Sequence, residues 1–208
     1  MHQRLNSLIA ASIVALAFVV PAISSAAGPG DASVRVRGTV VARNGDQLEL
    51  KSREGNLVMV KLKQGWVASG VAKAAISDIK PGDYVGIASL PKAQGGDGAL
   101  EVVIFPPAMK GASEGSFGWD LQPNSSMTNA TVSNAVKSVE GSAVTVTYHG
   151  QEKKISIPTG TPVVTLTEAT PDDVKAGAVV FVLAEKDAAG NLSSGRLVVG
   201  KSGVVPPM

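Results

Sequence analysis

"VRVRGTVVARNGDQLELKSREGNLVMVKLK", residues 34–63, holds three short runs rich in Val and Leu, parted by turn clusters. The first run passes through Asn44-Gly45-Asp46 into "QLELK", and that through Arg53-Glu54-Gly55-Asn56 into "LVMVKLK". Gly and Asn at these places tolerate the positive φ that tight hairpins demand. In the third run Val58, Val60 and Leu62 alternate with Met59, Lys61 and Lys63. A period of two buries one face of a strand, so the stretch predicts a three-stranded meander.

The same order returns from Thr131: "TVSNAVKSV", turn "EGS", "AVTVTYH", turn "GQ", "EKKISI". Gly45 and Gly55 find counterparts in Gly141 and Gly150, and "DGAL" with "EVVIF" at 97–105 is answered by "AGNL" with "RLVVG". Between meander and hairpin, "DIKPGDYVGIA" at 78–88 recurs as "DVKAGAVVFVL" at 173–183. Each copy carries a Lys-x-Gly turn before a strand, with Gly82 and Gly177 where a tight turn calls for φ > 0. Two copies of one unit are the economical reading. A meander, a wider crossing and a final hairpin resemble a compact OB-like barrel, with a β-sandwich as the alternative.

The expected fold class is therefore all-β, with two similar small OB-like β-barrels in tandem at residues 34–105 and 131–203. A long Gly/Ser/Pro-rich linker, 106–130, joins them. Phe117, Trp119 and Leu121 cluster inside it, which a free spacer does not need, so the linker is expected to fold back and clamp the barrels.

The N-terminus sets the expected compartment. Arg4 precedes an apolar stretch of thirteen residues, Leu8 to Val20; Pro21 breaks it, and "SSAAG" offers small residues for cleavage. This is the pattern of a secretory signal peptide over 1–27, leaving Ala27 or Gly28 first and placing the mature protein in the periplasm or outside the cell. No later stretch is long and apolar enough to span a bilayer, so no transmembrane segment is expected after cleavage. Removing Arg4 takes the formal net charge from +2 to +1. Near-neutrality gives no global case for nucleic acid, and residues 34–63 carry no aromatic on which bases could stack. The chain has no cysteine, which excludes disulfides, thiolate nucleophiles and sulfur-rich metal sites.

Catalytic motifs are missing. His149 is the one histidine of the mature chain and sits beside Gly150 in a predicted turn, and no serine lies in G-x-S-x-G or S-x-x-K. No enzyme activity, cofactor or metal site is expected: Met59, Met109, Met127 and Met208 are too scattered for thioether ligation, and Asp172-Asp173 and "GGDG" at 95–98 lack a calcium-loop series. One asymmetry stands out. Residues 34–63 carry seven basic side chains against three acidic ones, Asp46, Glu49 and Glu54. Arg35, Arg37, Lys51, Lys61 and Lys63 are the candidate anion-binding set, for an anionic lipid, a polysaccharide or an acidic protein partner; the plainer reading is a solvated face protecting the sheet.

"VRGTVVARNGDQLELKSREG", "DIKPGDYVGIA", "WDLQPNSSMTNATV" and "VGKSGVVPPM" together resemble a bacterial exported family of unknown function, some of whose members are labelled metal ABC transporter permeases. The resemblance covers nearly all of the mature chain and implies a periplasmic setting. It brings no catalytic or binding residues with it, and a permease would need spanning segments that the mature chain lacks. The expected function is an exported, non-enzymatic binding or scaffold protein; the alternative is a periplasmic solute- or metal-binding accessory of a transport system.

Overall fold

The computed structural model describes residues 32–138 and 141–207. The expected signal peptide and its cleavage site lie outside them, as does part of the "EGS" turn. Twelve strands account for most of the rest: β1 Ala32–Asn44, β2 Gln47–Ser52, β3 Leu57–Lys73, β4 Tyr84–Pro91, β5 Asp97–Phe105, β6 Gly115–Gly118, β7 Ser126–Ser138, β8 Gly141–Tyr148, β9 Gln151–Pro158, β10 Val163–Glu168, β11 Val179–Lys186 and β12 Leu192–Gly200. The protein is all-β, as expected, and no helix among the described residues is long and apolar enough to cross a membrane.

The strands close into two rings. In the first, β1 pairs with β2, β2 with β3, β3 in parallel with β12, β12 with β11, and β11 back with β1. In the second, β7 pairs with β8, β8 with β9, β9 in parallel with β5, β5 with β4, and β4 back with β7. Both rings follow the same OB-like path: a meander of three whose first strand meets the fourth and whose third runs parallel to the fifth. The expected division at 34–105 and 131–203 is corrected here. Each ring takes its meander from one half of the chain and its last hairpin from the other.

The length of β3 explains this exchange. It runs for 17 residues, where the sequence pattern suggested seven. At about 3.3 Å per residue such a strand outreaches one small barrel. Its first part pairs with β2 over Leu57 to Lys61; its last part, Ser69 to Lys73, pairs with β10. Between them the register to β12 shifts across Lys63 to Trp66, with Gly65 at φ 72° and Gly195 opposite. This bulge lets the strand bend and continue instead of ending. The chain therefore leaves the first barrel and delivers β4 to the second. In the other half, Pro158 and Pro162 separate β9 from β10, and β10 carries the chain back.

The repeated Lys-x-Gly turn docks each crossing. Gly82 donates to the Val132 carbonyl while Val132 donates to Asp83; Gly177 donates to Val40 while Val40 donates to Ala178, all at 2.8 Å. Gly82 and Gly177 take φ of 93° and 84°, as their turn position requires. A carboxylate caps the 3-10 turn ahead of each: Asp78 accepts from the Ala75 N–H and Asp173 from the Thr170 N–H.

Three apolar clusters hold the fold. Leu48, Leu50, Val60 and Leu62 pack with Val180, Val182, Leu197 and Val199 inside the first barrel. Val85, Ile87 and Val102 pack with Val144, Val146, Ile155 and Ile157 inside the second. Val71, Val103 and Val164, with Phe105, Leu166, Val198 and Val204 against them, fill the seam between the two. That seam, and the continuous sheet from β3 through β10 to β5, make the barrels one body.

Candidate functional site

β1 shows how the sequence builds the site. Val34, Val36 and Val40 turn inward, so the alternating Arg35 and Arg37 stand outside, beside Leu183 and Phe181 of β11. The segment expected as a linker covers them. It is a hairpin: β6 pairs with the start of β7 from Gly115↔Asn129 to Gly118↔Ser126. Trp119 donates its backbone N–H to Ser125, and the Ser125 hydroxyl donates back to the Trp119 carbonyl. The tip reaches the first barrel while β6 and β7 belong to the second.

At that tip Asp120 takes a two-pronged hydrogen bond from Arg37, Nη1 to Oδ2 at 3.1 Å and Nη2 to Oδ1 at 2.8 Å. The Arg35 guanidinium lies 4.0 Å from the centre of the Trp119 ring, and that of Arg37 lies 5.3 Å from Phe181. Partial burial pushes the Asp120 carboxyl up, but the hydrogen bond and charge of Arg37, with Arg35 behind, outweigh it and hold the group below the usual carboxylate range. Trp119 is half-buried rather than buried, and Phe117 stays exposed. With its ring only half-buried, beside the guanidiniums of Arg35 at 4.0 Å and Arg37 at 5.7 Å, Trp119→Ala should cost about 1–2 kcal/mol. Its emission, measured with Trp66→Phe, should be partly shielded from iodide. A silent substitution with complete quenching would mean that the hairpin tip does not hold the barrels.

Beside this clamp a cleft of about 900 Å³ opens between the barrels. Lys51 and Arg53 line it from the first barrel, Lys73 from the end of β3, Glu101 from β5, Thr161 to Val164 from the approach to β10, and Ser202 to Pro207 from the C-terminal segment. That segment turns back tightly: a Cβ on Gly200 would meet the Val204 carbonyl at 1.7 Å, so only glycine fits there. Among the described residues Lys51 and Lys73 form no ion pair.

Glu101 is the unusual member. It is only 6% exposed, its Oε1 is buried without a hydrogen-bond partner, and it stands opposite Ala88 of β4 on the outer face of the second ring. Burial raises its carboxyl from 4.5 to about 7, against the pull of Arg37 and Arg53 and with Asp120 adding to the rise. Among the described residues three further buried polar atoms lack partners: Oγ of Ser52, which also lines the cleft, Arg35 Nε and Trp119 Nε1. Such atoms are few in folded proteins and mark places where the fold leaves bonding capacity unused.

The five basic residues singled out in the sequence do not share one surface. Arg35 and Arg37 serve the clamp and Lys51 lines the cleft. Lys61 stands opposite Gln47, four residues from Lys51 along β2, which is about 13 Å away. Lys61 lies 4.0 Å from Asp46 and Lys63 bonds Glu185, so that end of the barrel neutralises itself. His149 is a turn residue at φ 46° whose ring Nε2 lies 3.0 Å from the Glu114 carbonyl. Lys153, in the second barrel, is committed to Asp97 at 2.8 Å. No group of three His, Cys, Asp or Glu side chains that could hold a metal comes together among the described residues.

Lys73, Glu101 and Asp120 escaped the sequence reading, and Arg53 counts toward the basic excess of residues 34–63 but stands outside the candidate set drawn from it. Glu101 had a signal: one carboxylate within "ALEVVIF", a run otherwise apolar enough to be buried on both faces. Lys73 and Asp120 had none, because only the tertiary structure brings them to the cleft and the clamp. Comparison with protein families, curated proteins and solved structures finds no match to this chain.

Proposed function

We propose that this is an exported, non-enzymatic binding protein whose inter-barrel cleft seats the acidic group of a small solute. The observation that carries the reading is the cleft itself: about 900 Å³ between barrels fixed by a common sheet, with Lys51, Arg53 and Lys73 on its walls. Pockets of this size, largely apolar with a few convergent polar groups, suit small molecules. Val163, Val164, Val179 and Val180 supply the apolar part. The self-neutralised lysines Lys61 and Lys63 favour the cleft over a lipid- or polysaccharide-binding outer face. Export rests on the N-terminal pattern, and the two rings read as copies of one duplicated unit that have exchanged their last two strands.

The test is a thermal-shift and calorimetric screen of mature protein against small carboxylates, phosphates and sulfonates. A ligand at 100 times its Kd adds about 2.7 kcal/mol of stability. Binding should weaken with salt and be abolished by the double reversal K51E/K73E, whereas K61E/K63E should leave it within about twofold, since those charges are more than a screening length of about 8 Å away. Equal loss in both double variants would return the anion surface to the outside of the barrel and refute the cleft.

A further inference from the structure

Resting on the reading of the cleft as an acid-binding site, we propose that its ligand is a zwitterion whose anionic group lies among Lys51, Arg53 and Lys73 and whose ammonium group pairs with Glu101. The cations alone would accept any acid. Glu101 is what a simple acid leaves unexplained, because a carboxylate oxygen buried from water and lacking a donor costs free energy in the empty protein.

The charges that face Glu101 are Arg37 from β1, Arg53 from the turn after β2, and Asp120 from the hairpin tip, with Lys51 and Lys73 further along the walls. Arg37 is already held by Asp120 in the two-pronged bond. None of these groups donates a hydrogen bond to Oε1. A ligand ammonium brings both the missing donor and a positive charge, while its acidic end stays with the lysines. A simple anion would bring neither. The Val163, Val164, Val179, Val180 and Pro206 side of the cleft is suited to the methylene chain that separates the two ends.

The site also predicts a proton signature. Glu101, ionising at about 7, is largely protonated at pH 6 in the empty cleft, and pairing with an ammonium favours the carboxylate. Binding should therefore release a proton at about pH 6 and release little at pH 8.5.

Matched probes test this: ω-amino acids of two to six carbons against alkanoates of the same length, titrated calorimetrically at pH 6 and 8.5 in two buffers of different ionisation heat. At least one amino acid should bind tenfold or more tightly than its alkanoate, with proton release at pH 6. E101Q should lose that preference while retaining alkanoate binding, which shows that the cleft is intact; K51E/K73E should lose both. Alkanoates that bind as well as the amino acids, or a preference that survives in E101Q, would overturn the zwitterion and leave the acid-binding cleft standing. No binding by either series would overturn both.

Discussion

Produced separately, residues 32–105 and 106–207 should each remain unfolded, and mixing them should restore the native fold. The expectation follows from the two barrel cores. Without β11 and β12 the first meander would leave Leu48, Leu50, Val60 and Leu62, all at most 1% exposed in the whole protein, facing water. It would also leave β1 and β3 with open edges. The second meander without β4 and β5 is in the same position, lacking Val85, Ile87 and Val102. Fully burying each such side chain contributes about 1.5–3 kcal/mol, so loss of four or more removes about as much as the whole roughly 5–15 kcal/mol that stabilises a domain. Circular dichroism and amide NMR dispersion of each half, then of the mixture, decide it. A single half with a cooperative melt would show that the β4–β5 hairpin turns back on β1 and that the long β3 does not enforce the exchange.

Glu101→Gln should stabilise the protein at pH 8 and change little at pH 4. The Glu101 carboxyl ionises at about 7 in the folded chain against 4.5 ordinarily. The folded state thus binds more protons than the unfolded state between those values, and wild-type stability falls as pH rises through that window. Below pH 4.5 both states are protonated and nothing is lost; above pH 7 the full penalty is present, roughly 3 kcal/mol. Glutamine carries no charge and should flatten this part of the profile. Urea melts at pH 4, 6 and 8 measure it. Parallel profiles for the two proteins would mean that water reaches the carboxylate and that the cleft is wetter than its 6% exposure implies.

The sequence by itself determined the local elements. Gly45, Gly55 and Gly150 mark the hairpin turns, each at positive φ, and Gly82 and Gly177 mark the crossings. Valine-rich alternation marks the strands, and both are set by the conformational preferences of neighbouring residues. The third run reads as ending at Lys63, whereas the structure continues it to Lys73 and uses Gly65 for a bulge in the middle of β3. The segment at 106–130 read as a linker because its composition is that of a turn-rich loop, yet four of its residues form β6 and its tip supplies Asp120 and Trp119 to the clamp. Only the tertiary structure decided which hairpin closes which barrel. An outward Arg and an inward Val alternate in the same way whether β1 meets a strand from its own half or from the other, so the pattern contains the faces and not the partners. Glu101, Lys51, Arg53 and Lys73 therefore become one site only through pairings that join residues far apart in the chain.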